Sequence, residues 1–245
     1  EILRCLVGSE MCIRDSIVNC AAYTAVDKAE DNQELCAKLN SEAVGYLAKA
    51  AEENQAEFIQ ISTDYVFDGT NYVPYRETEP TCPNSVYGVT KLAGEKKALE
   101  YCSKAMIIRT AWLYSVFGNN FVKTMIRLGK ERESLGVIFD QIGTPTYARD
   151  LASAVFAAIR KGIIPGIYHF SNEGVCSWYD FTKSIHRIAG IGNCKVSPLH
   201  TDEYPAKAPR PHYSVLDKTK IKHTYGIEIP HWEESLEQCI KELNV

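Results

Sequence analysis

The chain has 245 residues, of which 45% are hydrophobic and 24% are charged, a composition typical of a globular protein with a sizeable core. Its formal net charge of −4 is spread over both halves, which argues against a protein that binds nucleic acid or anionic lipid. No apolar run reaches the roughly 18 residues of a membrane-spanning helix, so no membrane span is predicted. The nine cysteines form no Cys-x-x-Cys pair, which predicts free thiols and a cytoplasmic protein.

Beyond residue 16, short apolar runs alternate with longer segments in which the apolar residues follow a helical period. The predicted strands are residues 17–22, 58–61, 106–110, 136–139 and 166–170. The predicted helices are residues 32–53, 85–101, 120–130, 148–160, 178–189, 215–224 and 232–243. Strands that alternate with helices of this length indicate an α/β fold with a doubly wound parallel sheet.

The remaining segments are expected to be less regular. Residues 24–31 form a polar connection, and residues 68–83 form a long loop rich in Gly and Pro, of the kind that often covers a functional site. Residues 196–214 contain four prolines and are expected to run extended within a smaller lobe. At the amino end, residues 2–8 are predicted to form a short strand and residues 9–15 a helical turn.

The segment from Ser62 to Lys91 carries the residues best suited to chemistry. Thr63 ends a buried strand, and open α/β sheets bind their ligands beyond the carboxyl ends of their strands. Tyr87 and Lys91 are four residues apart, so they lie on one face of the predicted helix. A hydroxyl, a phenol and an ammonium group that meet at this edge are suited to delivering a proton to a carbonyl oxygen. Each motif alone also fits a solvated helix face or a turn cap, whereas the combination favours catalysis.

Several sequence blocks place the chain in a known group. They are residues 18–30, 62–69, 87–95, 109–114, 118–121, 140–146 and the pair Arg210-Pro211. With these blocks, the chain from Ile17 onwards resembles the extended short-chain dehydrogenase/reductases, and among them the dTDP-4-dehydrorhamnose reductases. The resemblance implies a Rossmann-like core and a carboxyl-terminal substrate lobe. It also implies reduction of the C4 keto group of dTDP-4-dehydro-6-deoxy-L-mannose to dTDP-L-rhamnose, with NADPH or NADH as cofactor.

The resemblance also implies roles for individual residues. Tyr87 would be the general acid, Lys91 would lower the pKa of that phenol and contact the nicotinamide ribose, and Thr63 would orient the keto oxygen. Lowering a Tyr pKa from about 10 by roughly 3 units requires about 4 kcal/mol of preferential stabilisation of the phenolate. The implied cofactor-binding residues are Ala22, Tyr23, Thr24, Thr63, Tyr87 and Lys91. The implied substrate-binding residues are Thr63, Asp64, Trp112 and Arg210.

Alternatives remain open at several of these positions. Trp112 follows a strand and is also compatible with a purely structural role, and Arg210 is also compatible with an ordinary surface arginine rather than a ligand of the diphosphate. The six histidines show no ligand spacing, so no metal site is predicted. For the whole chain, the alternatives are a related sugar-nucleotide epimerase or dehydratase, and a regulatory subunit like the beta subunit of methionine adenosyltransferase.

The first sixteen residues depart from the family pattern. Family members begin with a glycine-rich turn that holds the cofactor pyrophosphate at a helix N-terminus, whereas residues 1–16 contain the single glycine Gly8. We therefore expect an exposed strand edge at residues 17–21 and weak binding of nicotinamide dinucleotides. The expected divisions are residues 1–16 outside the family, 17–140 as the nucleotide-binding core and 141–245 with the substrate lobe. The expected partner is a dTDP-sugar, without nucleic acid or membrane, and a homodimer is one assembly that the sequence allows.

Overall fold

The computed structural model describes residues 16–244, which form a mixed α/β structure around a four-stranded parallel sheet. The strands are β1 (Ser16–Asn19), β2 (Glu57–Thr63), β3 (Ala105–Thr110), β4 (Leu113–Tyr114), β5 (Ser134–Ile138), β6 (Ile142–Gly143), β7 (Thr146–Tyr147), β8 (Gly166–His169), β9 (Cys176–Ser177) and β10 (Lys195–Leu199). The helices are α1 (Val26–Ala29), α2 (Gln33–Ala37), α3 (Ala43–Glu53), α4 (Val86–Tyr101), α5 (Phe121–Glu131), α6 (Ala148–Lys161), α7 (Trp178–Ile188), α8 (Thr219–Tyr225) and α9 (Trp232–Glu242).

The main sheet has the strand order β1-β2-β3-β8, with every neighbouring pair parallel. Successive side chains of a strand point to opposite faces of the sheet, and in the central strands the side chains on both faces are buried. On one face Phe58 and Ile107 pack against α3 and α4, and on the other Ile59 and Ile108 pack against α6 and α8. Helices on both faces of a parallel sheet confirm the predicted doubly wound fold.

A second hydrophobic core lies outside the main sheet. It is formed by α5, α7 and α9 together with β5 and β10, which pair in parallel. The elements α6 and β8, which lie between these in the chain, belong instead to the main sheet. The lobe therefore takes residues from both sides of position 140, and the division expected at that position stays a prediction.

Some elements differ from the predictions. The polar connection at 24–31 contains the short helix α1, and the helix predicted at 32–53 holds a π-helical turn at Lys38–Glu42. Helix α8 begins at Thr219 rather than at residue 215, because the preceding backbone pairs with Tyr75. Part of the proline-rich segment forms β10. The strand predicted at residues 2–8 and the helical turn predicted at residues 9–15 lie outside the described residues. Within residues 16–244, no helix is both long and apolar enough to cross a membrane.

A buried ion pair ties α4 to the main sheet. Glu95 on α4 accepts hydrogen bonds from Arg109 on β3, with Nη2 to Oε2 at 2.7 Å and Nε to Oε1 at 3.0 Å. The hydroxyl of Ser62 on β2 donates to the same carboxylate. Both charged side chains are only 2% exposed, so each depends on the other for compensation of its charge.

The substitution Glu95→Gln tests this dependence. It leaves the Arg109 guanidinium buried without a counter-charge, and losing one partner of a buried pair typically costs about 3–5 kcal/mol. We expect a decrease of that size in the free energy of unfolding, measured by urea denaturation. The matched control is Glu34→Gln, which breaks the exposed pair with Lys38 and is expected to change stability little. Equal effects of the two substitutions would contradict the dependence.

Candidate active site

The N-terminus of α4 packs directly on the turn that follows β2. Ser85 caps the helix, its hydroxyl accepting a hydrogen bond from Gly88 N at 3.2 Å. A Cβ atom at Gly88 would lie 2.2 Å from the backbone oxygen of Tyr65, so only glycine permits this approach. The contact brings the ring of Tyr87 edge-on to that of Tyr65, with centroids 5.4 Å apart. Sequence order and close packing thus place Tyr87 beside the carboxyl end of β2.

Thr63 and Asp64 lie at that strand end, and both are buried. The Thr63 hydroxyl donates to Asp64 Oδ1 at 2.9 Å and accepts from Tyr65 N at 3.2 Å. Burial raises the pKa of Asp64 to about 6, although the nearby hydroxyls of Ser214 and Thr63 oppose the rise. The structure therefore places the two predicted residues in direct contact.

Tyr87 lies close to Thr63, whose hydroxyl stabilises the phenolate and opposes the effect of burial. Burial is the larger effect and raises the pKa of Tyr87 to about 12, and the nearby Asp64 carboxylate adds to the rise. The direction is opposite to the lowering that the sequence resemblance implies. A partly buried phenol without a countercharge in contact keeps its proton, because desolvation penalises the anion.

Lys91 is 4% exposed and lies one helical turn after Tyr87. Its Nζ donates to the backbone oxygen of Ile61 at 2.6 Å, which joins α4 to β2. Burial lowers the pKa of Lys91 to about 8, and the negative charge of Glu95 partly counters this effect. The ammonium is therefore in place at neutral pH, bonded to a strand carbonyl rather than to the phenol.

The segment Ala22–Thr24 leaves the carboxyl end of β1. The Asn40 side chain forms two hydrogen bonds with the backbone of Tyr23. Tyr23 N donates to Asn40 Oδ1 at 2.8 Å, and Asn40 Nδ2 donates to Tyr23 O at 3.1 Å. Asn40 lies in the π-helical turn, a distortion often found at functional sites, and is 1% exposed. Sequence reasoning did not identify Asn40, and its only signal is a polar residue on the buried face of a predicted helix.

Trp112 packs against a second tryptophan. Its φ of 49° lies in the left-handed region, and its ring stacks on Trp178 with centroids 3.5 Å apart and planes 9° apart. A Cβ at Gly143 would lie 2.6 Å from the Trp112 ring. Trp178, which was not predicted, lines a neighbouring cavity of about 240 Å³ together with Phe121 and other residues of the lobe.

Arg210 also lines this cavity, and its guanidinium is paired with Asp27. Nη2 donates to Asp27 Oδ2 at 2.8 Å and Nη1 to Oδ1 at 3.1 Å, while Ala208 N donates to the same carboxylate. The Arg210 hydrogen bond lowers the pKa of Asp27 to about 2. The pair therefore fastens the proline-rich segment to α1, and Arg210 is more constrained than an ordinary surface arginine.

Four of the predicted residues form one group, and the others lie around it. Thr63, Asp64, Tyr87 and Lys91 gather where β2 meets α4, and the charge of Arg210 acts on the Tyr65 phenol beside Tyr87. Trp112 lies behind Trp178 and is not part of the cavity wall described above. Between residues 16 and 244, no group of three or more His, Cys, Asp or Glu side chains is arranged to hold a metal ion.

The chain is similar to several known proteins. The family model described as RmlD substrate binding domain matches residues 9–245. The dTDP-4-dehydrorhamnose reductase of Escherichia coli (strain K12) is 45% identical over 238 residues, covering 94% of this chain and 80% of that protein.

Two solved structures are similar as well. A dTDP-4-dehydrorhamnose reductase from Clostridium acetobutylicum has a TM-score of 0.91 and 46% identity, covering 94% of this chain and 81% of that one. A reductase of the same name from Bacillus anthracis, in complex with NADP, has a TM-score of 0.90 and 42% identity, covering 93% and 80%. These matches confirm the resemblance inferred from the sequence blocks. The chain belongs to the family of the dTDP-4-dehydrorhamnose reductases.

Proposed function

We propose that this protein is an NAD(P)H-dependent oxidoreductase that reduces the C4 keto group of dTDP-4-dehydro-6-deoxy-L-mannose to give dTDP-L-rhamnose. The observation that carries the proposal is the meeting of Thr63, Tyr87 and Lys91 at the carboxyl edge of the parallel sheet. The names of the relatives support the same reaction, and one of their structures contains NADP. This family membership favours the reductase over an epimerase, a dehydratase or a regulatory subunit.

The residues present fit the nicotinamide end of the cofactor. Ala22 offers a small side chain next to β1, so a ring can approach the strand end closely, and Lys91 offers an ammonium donor for ribose hydroxyls. Because NADPH and NADH share this ribose, Lys91 serves either one. When bound, the cofactor supplies the hydride for C4.

Tyr87 is the proposed proton donor to the C4 oxygen. Because burial raises its pKa to about 12, the phenol is protonated at neutral pH and releases its proton only to an oxygen that develops negative charge. Thr63 positions the keto oxygen, and the Lys91 ammonium on the same helix face lowers the energy of the phenolate that forms. Trp178 and Arg210 form the wall of the cavity proposed for the sugar nucleotide, with Trp112 supporting Trp178 from behind.

We also propose a cytoplasmic location and a homodimer. All cysteines in the described part of the chain are free thiols, as is usual in a reducing compartment. The helical segment from α2 to α3 exposes the apolar side chains Leu35, Leu39 and Tyr46, which supports contact with a second copy.

The reaction is tested by following NADPH absorbance in the presence of the keto sugar nucleotide. At NADPH concentrations high enough to offset the weak binding expected from residues 1–16, we expect turnover by the parent protein and a fall in kcat of about 10²–10⁴-fold for Tyr87→Phe, since the general acid is removed. The matched control is Tyr72→Phe, which removes the hydroxyl of a tyrosine that is 87% exposed. A kcat of the parent value in Tyr87→Phe would contradict the assignment of Tyr87 as the general acid.

The charge of Lys91 gives a pH dependence. A lysine with a lowered pKa carries its charge only below that pKa, so kcat/KM is expected to fall as the pH rises through about 8. Lys91→Arg keeps the charge and is expected to lose this fall, whereas Lys91→Met is expected to be slow at every pH. If kcat/KM of Lys91→Arg still falls at alkaline pH as in the parent, a group other than Lys91 causes the fall. Steady-state rates across the pH range provide the measurement.

Trp178 is expected to contribute to binding more than to chemistry. Stacking of a base on an aromatic side chain is worth about 1–3 kcal/mol, so Trp178→Ala should raise KM for the sugar nucleotide by roughly 5- to 150-fold with a smaller change in kcat. Phe156→Ala, which removes an exposed aromatic side chain on α6, is the control and should leave KM unchanged. If Trp178→Ala has the KM of the parent protein, the sugar nucleotide does not stack on Trp178.

A further inference from the structure

The Thr63 hydroxyl has one hydrogen, and in the structure it is directed at Asp64. Thr63 Oγ1 lies 2.9 Å from Asp64 Oδ1 and also accepts the backbone N–H of Tyr65 at 3.2 Å. A hydroxyl can donate only one hydrogen bond at a time. While it donates to Asp64, it has no hydrogen to offer to a keto oxygen, which is the role proposed for Thr63.

We propose that Asp64 is a positioning residue that works in its protonated form. The neutral carboxyl group donates its O–H to Thr63 Oγ1, and Thr63 then donates its own hydrogen to the C4 oxygen of the substrate. Ionised Asp64 draws the Thr63 hydrogen to itself and leaves the keto oxygen with the Tyr87 phenol alone. This inference rests on the proposed function and assigns the direction of one hydrogen bond within it.

The surroundings of Asp64 favour its neutral form. The residue is 2% exposed, and its Oδ2 atom has no hydrogen-bond partner among the described residues. A buried carboxylate oxygen without a partner is costly, whereas a protonated carboxyl group is much less so. The same burial raises the pKa of Asp64 to about 6, so the neutral form is accessible just below neutral pH.

The neighbouring titratable and charged groups do not shift Asp64 towards its ionised form. Tyr65 on the same turn and Tyr87 on α4 are neutral phenols, and Lys91 of α4 donates to the Ile61 carbonyl. Arg210, whose charge reaches Tyr65, is paired with Asp27 of α1. Within residues 16–244, no lysine or arginine forms an ion pair with Asp64. The hydroxyls of Thr63 and Ser214 remain as its polar neighbours, and of these Thr63 donates to Oδ1.

The test compares the pH dependence of kcat/KM in the parent and in Asp64→Asn. The neutral fraction of Asp64 falls with rising pH, so the parent should lose about tenfold between about pH 5 and pH 7, before the later fall due to Lys91. The Asn amide donates to Thr63 at every pH, so the ratio of rates at these two pH values should be close to one, whatever the absolute rate. Asp64→Ala offers Thr63 neither an acceptor nor a donor, so it should likewise show no fall between these two pH values. Asp202→Asn, an exposed control, should keep the parent profile.

An Asp64→Asn variant that keeps the early fall would overturn the inference, because a merely structural carboxyl group does not change the profile. A second readout needs no substrate: the titration of the Asp64 carboxyl carbon, followed by NMR in the intact protein. A raised pKa is expected, and an ordinary Asp value of about 4 would overturn the inference on its own. Absence of turnover in the parent would instead reject the proposed function, so the two failures are distinguishable.

Discussion

The site depends on the contact between α4 and the end of β2. The helix presents two charged side chains, Lys91 and Glu95, to the sheet in addition to its apolar contacts, and both are almost fully buried. Each is satisfied by the strands, Lys91 through the Ile61 carbonyl and Glu95 through Arg109 and Ser62. Because buried charges are tolerated only when they are paired and hydrogen-bonded, these bonds fix the position of α4 along β2. Tyr87, one turn before Lys91, is fixed with them.

Burial at this contact acts on three titratable groups in a consistent way. It lowers the pKa of Lys91 to about 8, raises that of Asp64 to about 6 and raises that of Tyr87 to about 12. In each case the low-dielectric surroundings disfavour the charged form. The result is a phenol that holds its proton beside a carboxyl group and an amine that both titrate near neutral pH. Such a set is suited to a reaction in which one proton must be delivered to an oxygen that becomes negative.

The cavity beside this contact is built by segments that lie far apart in the chain. Trp178 of α7 lines it and stacks on Trp112, which follows β3. Arg210 reaches it from the proline-rich segment and is held by Asp27, 183 positions earlier. The lobe, the proline-rich segment and α1 therefore come together at this cavity. Arg210, one of the residues that line the cavity, also acts electrostatically on Tyr65, whose ring contacts Tyr87.

The sequence by itself determined the alternation of strands and helices, the cap at Ser85 and the Tyr87–Lys91 pair, since apolar periodicity, capping and i,i+4 spacing are local properties of the chain. Its motifs also determined the family. Only the tertiary structure decided that Asn40 holds Tyr23, that Trp178 rather than Trp112 lines the cavity, and that burial raises the pKa of Tyr87. The physical reason is that a hydrogen-bond partner, a stacking partner and the degree of desolvation are set by residues distant in sequence, which no local pattern records.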